Sequence, residues 1–271
     1  VTDRFKTSRA MLAYEVDSTA APLCLLIPIS SWGAYFAGLL EKNAVAADGQ
    51  GLNLFIESIP YMFYPIIAVL VVPLVVLGVI PRIGAMARAE ARAEETGELG
   101  ISEDPSNDMT FGTGGSATFF ILFAIKIMVP VLAMLLALFV FVEANDRIGL
   151  TDFVIQGVKP YMTATWLPVI IFVTMSAVSF ATGSNWGVIA IAMPVAFPLA
   201  EAYGVSIPLV IGALLSASGF GSHACFYSDS TVLSAQGAGC DTYEHAITQL
   251  PYAALSALIA AVFFIIAALI M

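Results

Sequence analysis

In Ser228-Asp-Ser-Thr231 one carboxylate stands among three hydroxyl side chains, downstream of His223 in Gly219-Phe-Gly-Ser-His223. A second polar group, Thr182-Gly-Ser-Asn185, leads into Trp186-Gly187, and the tripeptide Asp17-Ser18-Thr19 near the start of the chain is repeated at 229–231. Carboxylate, hydroxyl and amide oxygens are hard donors, the set that suits a hard cation such as Na+. The candidate ligands are therefore Asp229, Ser228, Ser230, Thr231, Thr182, Ser184, Asn185, Asp17, Ser18 and Thr19, with Na+ expected at Asp229 and Asn185. A carboxylate in a desolvated site can also exchange a proton for the cation. Asp229 and Asp17 are the candidates for proton coupling, joined by His223, because an imidazole titrates near neutrality.

Each of these residues also has a plainer reading. Hydroxyl side chains in membrane helices commonly bond back to their own helix or knit neighbours together. His223, beside Gly221 and Cys225, suits a hydrogen-bonded packing role equally well, and His245, beside Glu244, reads as a surface residue. Trp32 and Trp186 are interface or packing aromatics; each follows Ser-Ser or Ser-Asn and precedes Gly.

The elements that must carry these residues are broken apolar helices. In hydrocarbon an unpaired backbone group is costly, so a break persists only where protein or a water-filled cavity surrounds it. Polar breaks in apolar helices are the usual sequence pointer to a substrate or ion site in secondary transporters. The chain is apolar from Trp166 to Phe180, breaks at Thr182–Gly187, and is apolar again from Val188 to Ala200. That second piece falls short of the roughly 30 Å hydrocarbon core, so a re-entrant hairpin tipped by Ser-Asn-Trp-Gly is expected. Ile207 to Phe220 reads as another short piece ending at Gly219-Phe-Gly221, which would leave Asp229 in an opened, glycine-bounded stretch. Gln249 to Met271 is a final span without charge.

Composition agrees: 59% of residues are hydrophobic and 11% charged, with mean hydropathy +0.92. Soluble domains are roughly 45–50% apolar. The net charge of -10 comes largely from acids around 90–108, including Glu90, Glu94, Glu95, Glu98, Glu103, Asp104 and Asp108, which read as a solvated loop. No basic patch argues for nucleic acid. Cys24, Cys225 and Cys240 form no CxxC pair, so neither a zinc site nor a disulfide framework is expected.

Arg4, Lys6 and Arg9 place the start of the chain on the cytoplasmic side. The first span is expected from Pro22 to about Leu40, with Tyr14–Pro22 ahead of it and Pro28 and Ser30-Ser-Trp-Gly33 within it, either as a kink or as a break. A short polar loop at 41–53 leads to a second span, Ile59 to Ile80, and Arg82, Arg88 and Arg92 return the chain to the cytoplasm. Ala85 to Glu95 suits a helix beyond the membrane. A third span is expected over 117–142; its Lys126 either snorkels or faces the interior, with snorkelling favoured. Glu143 to Lys159 has the pattern of an interfacial amphipathic helix. This divides the chain into the end of one membrane subdomain (1–95), a flexible cytoplasmic linker (96–116) and a second membrane subdomain (117–271). The chain starts at Val1 and reads as the C-terminal portion of something longer.

Ser8–Trp32, Phe180–Gly187, Ser228-Asp-Ser-Thr-Val-Leu-Ser234, Gly237–Asp241 and His245-Ala-Ile-Thr-Gln-Leu-Pro-Tyr252 resemble the NhaC family of sodium/proton antiporters. The resemblance covers most of the chain except 81–116. It implies an all-α, polytopic transmembrane helical bundle with a re-entrant hairpin and broken helices, of the ion transporter superfamily. It further implies inverted repeats, alternating access, and a multi-pass location in a bacterial or archaeal cytoplasmic membrane. Na+ and H+ would be the transported ions, with no cofactor and no catalytic residue. The lipid bilayer and an N-terminal part of the same transporter would be its partners, and a homodimer is compatible with this. Where the family usually has Gly-Asp-His, this chain has Gly221-Ser222-His223, one acid fewer. That keeps a Na+-coupled carrier of a small organic acid or amino acid as the alternative.

Overall fold

The computed structural model describes residues 2–100, 159–161, 163–183 and 185–271, with scattered positions between 129 and 157. Most of the expected span at 117–142, including Lys126, most of the 96–116 linker, about half of the amphipathic stretch at 143–159, and Ser184 lie outside the described residues. The described residues form helices and no strand. Up to residue 100 they are α1 (Arg9–Leu26), α2 (Ser31–Lys42), α3 (Gly51–Ser58), α4 (Phe63–Val76) and α5 (Gly84–Thr96). After it come α6 (Leu167–Thr182), α7 (Gly187–Tyr203), α8 (Ile207–Ala224), α9 (Asp229–Ala238) and α10 (Thr242–Ile270).

Among the described residues, α8 and α10 are each long and apolar enough to cross a membrane. Two bent pairs would each make a further span: α1 with α2 (40°), and α3 with α4 across a 3-10 turn (53°). At 1.5 Å per residue, α6 and α7 reach only about 24–26 Å, short of the roughly 30 Å core. They form the expected helix–break–helix unit. Gly183 closes α6 at φ 66°, a left-handed conformation that any side chain would oppose.

The bundle is built around α8. Of its span 83% is buried, against 22% for α10, which leaves most of α10 free to face lipid. α8 packs most extensively on α6 and also on α1, α4, α7 and α10. Small residues allow this approach: a Cβ at Gly221 would overlap the Ser179 side chain of α6. Close packing also explains why α8 runs straight through Gly219-Phe-Gly221, where the sequence suggests an end. A helix-interior glycine costs about 1 kcal/mol relative to alanine, a penalty that tight helix contacts offset. The chain opens instead at Cys225–Ser228, and Asp229 is the first residue of α9 rather than part of an unwound stretch.

The first span also differs from expectation. The helix starts at Arg9, so Asp17 lies inside a helix within the bundle rather than ahead of the membrane. Ser8 caps it, accepting from Met11 N at 3.1 Å, and Ser8 N donates to Glu90 Oε1 at 2.8 Å. Glu90 is therefore a buried structural group, 3% exposed, and not a solvated loop acid. Between α1 and α2 the chain breaks at 27–30, and one hydroxyl closes both ends: Ser30 Oγ donates to Cys24 O (3.0 Å) and accepts from Gly33 N (3.1 Å). The kink-or-break alternative resolves as a break. α4 has no capping side chain of its own; Ser216 of α8 accepts from Tyr64 N at 3.3 Å instead.

Candidate functional site

Three elements meet at Asp229: Asn185 from the break after α6, Ser222 from the end of α8, and the start of α9. Ser228 caps α9, its Oγ accepting from Thr231 N at 3.2 Å, and Asp229 Oδ1 accepts from Ser230 N at 2.9 Å. The carboxylate thus sits where first-turn N–H groups and the helix field favour negative charge. Asn185, 2% exposed, donates from Nδ2 to Asp229 Oδ1 (3.2 Å) and to Ser222 Oγ (3.1 Å). Its own carbonyl accepts from Ser218 Oγ at 2.7 Å, which fixes the turn against α8.

The hydroxyls around Asp229 have a second task. The end of α8 leaves carbonyls without helical partners. Ser228 Oγ donates to Ser222 O at 2.5 Å, Ser230 Oγ to Ser222 O at 2.7 Å, and Thr231 Oγ1 to Cys225 O at 2.8 Å. A hydroxyl that donates its hydrogen still presents lone pairs. The same side chains that close the break are therefore also able to coordinate a cation. Asn185 Oδ1 is buried and has no hydrogen-bond partner among the described residues, which leaves a hard oxygen beside the carboxylate. Asp229, Ser222, Ser230 and Ser234 face a cavity of about 320 Å³ whose other wall includes Val16 and Trp32.

Asp17 lies across the bundle interface in a closed environment. It is fully buried, and its Oδ2 accepts from Gln249 Nε2 (2.8 Å) and His245 Nε2 (3.1 Å). Gln249 Nε2 also reaches His223 O. Thr231 Oγ1, two residues after Asp229 and already donating to Cys225 O, lies 3.5 Å from Asp17 Oδ2. His245 is 0% exposed, which corrects its surface assignment: α10 begins at Thr242, capped by Asp241, so its first turns lie inside the bundle. Glu244 beside it pairs with Arg92 of α5 at 2.5 Å. His223 is also buried, with Nε2 2.7 Å from Ser18 Oγ and Nδ1 2.6 Å from Tyr64 OH.

Two candidate ligands point elsewhere. Thr19 is exposed and donates to Glu15 O at 2.6 Å, because the helical period turns it off the face that carries Asp17 and Ser18. The Thr182 hydroxyl donates to Val178 O at 2.8 Å in its own helix. The two Ser-x-Trp-Gly turns meet: the rings of Trp32 and Trp186 lie 4.3 Å apart, centroid to centroid.

Comparison with known proteins gives this arrangement a family. The profile of the Na+/H+ antiporter family matches residues 23–142 and 120–269, well over half the chain. The chain belongs to the Na+/H+ antiporter family. The apolar helices are accordingly those of a membrane protein. An uncharacterised protein of Haemophilus influenzae is 28% identical over 327 aligned positions, covering 94% of this chain and 63% of the relative. That alignment is longer than the chain's own 271 residues, so the relative has stretches with no counterpart here. The malate-2H(+)/Na(+)-lactate antiporter of Bacillus subtilis is 39% identical over 70 residues, 26% of this chain and 15% of that protein. The chain thus spans less than two thirds of the length of either relative. No solved structure matches it.

Within this antiporter-family chain, several site residues escape a reading of the sequence alone. Ser222 sits between Asn185 and Ser230, yet in the sequence it is merely the position where an acid is missing. Gln249 and His245 hold Asp17 from the start of α10, and Tyr64 reaches His223 from α4. Their available signal was a polar or ionisable residue within or beside an apolar span, a functional pointer by default in membrane helices.

Proposed function

We propose that this chain forms the ion-binding part of an NhaC-type secondary transporter, the C-terminal portion of a longer protein, that exchanges cytoplasmic Na+ for external H+ by alternating access. Asp229 binds cation and proton in competition. Asn185 Oδ1 and the lone pairs of Ser228, Ser230, Thr231 and Ser222 complete the oxygen shell, with Ser184, next to Asn185 in the sequence, as a further donor and Asp17 as a second polar site. The observation that carries this reading is the Asp229 carboxylate at a helix start, touching the turn of a second broken helix and facing a cavity. Carbonyl ends of α6 and α8 close by add negative helix termini that favour a cation. The setting is the cytoplasmic membrane of a bacterium or archaeon.

The test is Asp229→Asn in the full-length protein reconstituted in vesicles. Na+-dependent proton flux is expected to vanish while expression and insertion persist; unchanged flux overturns the assignment. A second reading, a Na+-coupled carrier of a small organic acid or amino acid, is favoured by the cavity of about 320 Å³, larger than a bare cation needs, and by the partial similarity to a lactate-exchanging protein. Uptake of labelled carboxylates or amino acids driven by a Na+ gradient separates the two.

A further inference from the structure

We propose that the cavity beside Asp229 takes a small primary organic ammonium ion with a short apolar body, held by the same carboxylate in place of Na+. The proposal rests on the reading of Asp229 as the cation site and names a further class of ligand for it.

At about 320 Å³ the cavity is far larger than a bare cation and falls at the lower end of the roughly 300–1,000 Å³ range of small-molecule pockets. Its two sides differ in chemistry. α9 brings Asp229, Ser230 and Ser234, with Ser222 from the end of α8. α1 brings Val16, Ala20 and Cys24, which the helical period sets on one face, and Trp32 of α2 and Leu233 of α9 extend that apolar surface. Val16, Ala20 and Leu233 are exposed, so a ligand can cover them.

Charge decides which ligand fits. Among the described residues that line the cavity Asp229 carries the one charged side chain, and no Lys, Arg or His joins it. An organic anion there would face the carboxylate unless a cation lay between them, and a zwitterion would leave its own carboxylate without a partner, a costly arrangement away from water. An organic cation meets neither obstacle. Asp229 also has an oxygen to spare: Asn185 Nδ2 (3.2 Å) and Ser230 N (2.9 Å) both donate to Oδ1, which leaves Oδ2 for the ligand.

A primary ammonium group has three N–H donors and no acceptor. Oδ2 takes one of them. Ser230 Oγ donates its own hydrogen to Ser222 O and so meets a ligand as an acceptor, and Ser234 lies one turn further along the same wall. The carbon chain then lies against Val16, Ala20 and Leu233, beside the aromatic ring of Trp32, a residue type that cations approach favourably. Na+ gains nothing from that apolar side, whereas an alkylammonium ion does.

The test uses the full-length protein in vesicles and follows exchange of radiolabelled Na+ for Na+ at equal pH on both sides, so that permeation of an amine collapses no gradient. The probes are methylammonium and butylammonium, with butyrate and butanol as the anionic and neutral counterparts. Butylammonium is expected to raise the apparent half-saturation concentration for Na+ without lowering the maximal rate. It should outdo methylammonium by up to about fourfold for each methylene buried, while butyrate and butanol have no such effect. Ala20→Leu, which fills the apolar side, and Leu233→Ala, which removes part of it, are expected to keep Na+ exchange and lose the preference for butyl over methyl. Absence of competition by butylammonium overturns the proposal, as does equal inhibition by butyrate or an unchanged preference in both variants. Loss of Na+ exchange in both variants also overturns it, since these side chains would then serve packing rather than a ligand. Na+ exchange that is absent from the wild type or survives Asp229→Asn overturns the cation-site reading instead.

Discussion

The same tripeptide, Asp-Ser-Thr, occurs in two regions of this chain and does different work in each. At 229–231 it opens a helix, so its carboxylate receives first-turn N–H groups, and Ser230 and Thr231 tie off the carbonyls left at the end of α8. At 17–19 it lies inside α1, whose N–H groups are already engaged in the helix. Asp17 must therefore find donors on another element, and Gln249 and His245 of α10 provide them. Ser18 reaches His223, and Thr19 turns to the exterior. One acid borders a cavity and the other is sealed. Position within a helix, rather than the local sequence, decides which aspartate can meet an ion arriving from solution.

The sharpest way to break this comparison is to remove one carboxylate at a time. Asp229→Asn is expected to abolish Na+-dependent proton flux in vesicles, whereas Asp17→Asn, at the sealed carboxylate, is expected to reduce it less. Next in size is Asn185→Ala, which removes an amide that both holds Asp229 and offers a buried oxygen. A lost hydrogen bond to a charged group is worth about 1.5–3 kcal/mol, so apparent Na+ affinity should fall by about tenfold or more in a flux titration. Gly221→Val tests the packing that brings the two regions together. Its side chain would meet Ser179, and overpacking of about 1–3 kcal/mol should lower the thermal unfolding temperature in detergent. The smallest effects compare the two threonines: Thr19→Val should change stability by no more than about 0.5 kcal/mol. Thr231→Val leaves Cys225 O without its donor and should be the more destabilising of the two in the same melt. Equal effects would mean that the two copies are not distinguished by burial.

The two Ser-x-Trp-Gly turns teach the converse. Their recurrence in the sequence says nothing of proximity, yet the rings of Trp32 and Trp186 pack tilted at 4.3 Å, so the breaks after α1 and after α6 lie side by side. Such breaks are tolerated because each is enclosed by the other's aromatic ring and by α8.

Much of this organisation was legible in the sequence for a physical reason. Apolar run length, proline and glycine placement, and clusters of hard oxygen donors act locally, so they identified a helical membrane bundle, the helix–break–helix unit and Asp229 with Asn185. What the sequence could not fix was where α8 ends, because glycines at 219 and 221 break a helix in isolation but permit close packing in a bundle. Nor could it place Asp17 and His245, 228 residues apart, in contact. A buried charge is compensated by whichever groups the fold brings to it, and only tertiary packing, which joined the start of α10 to the middle of α1, decided that its partner is an imidazole.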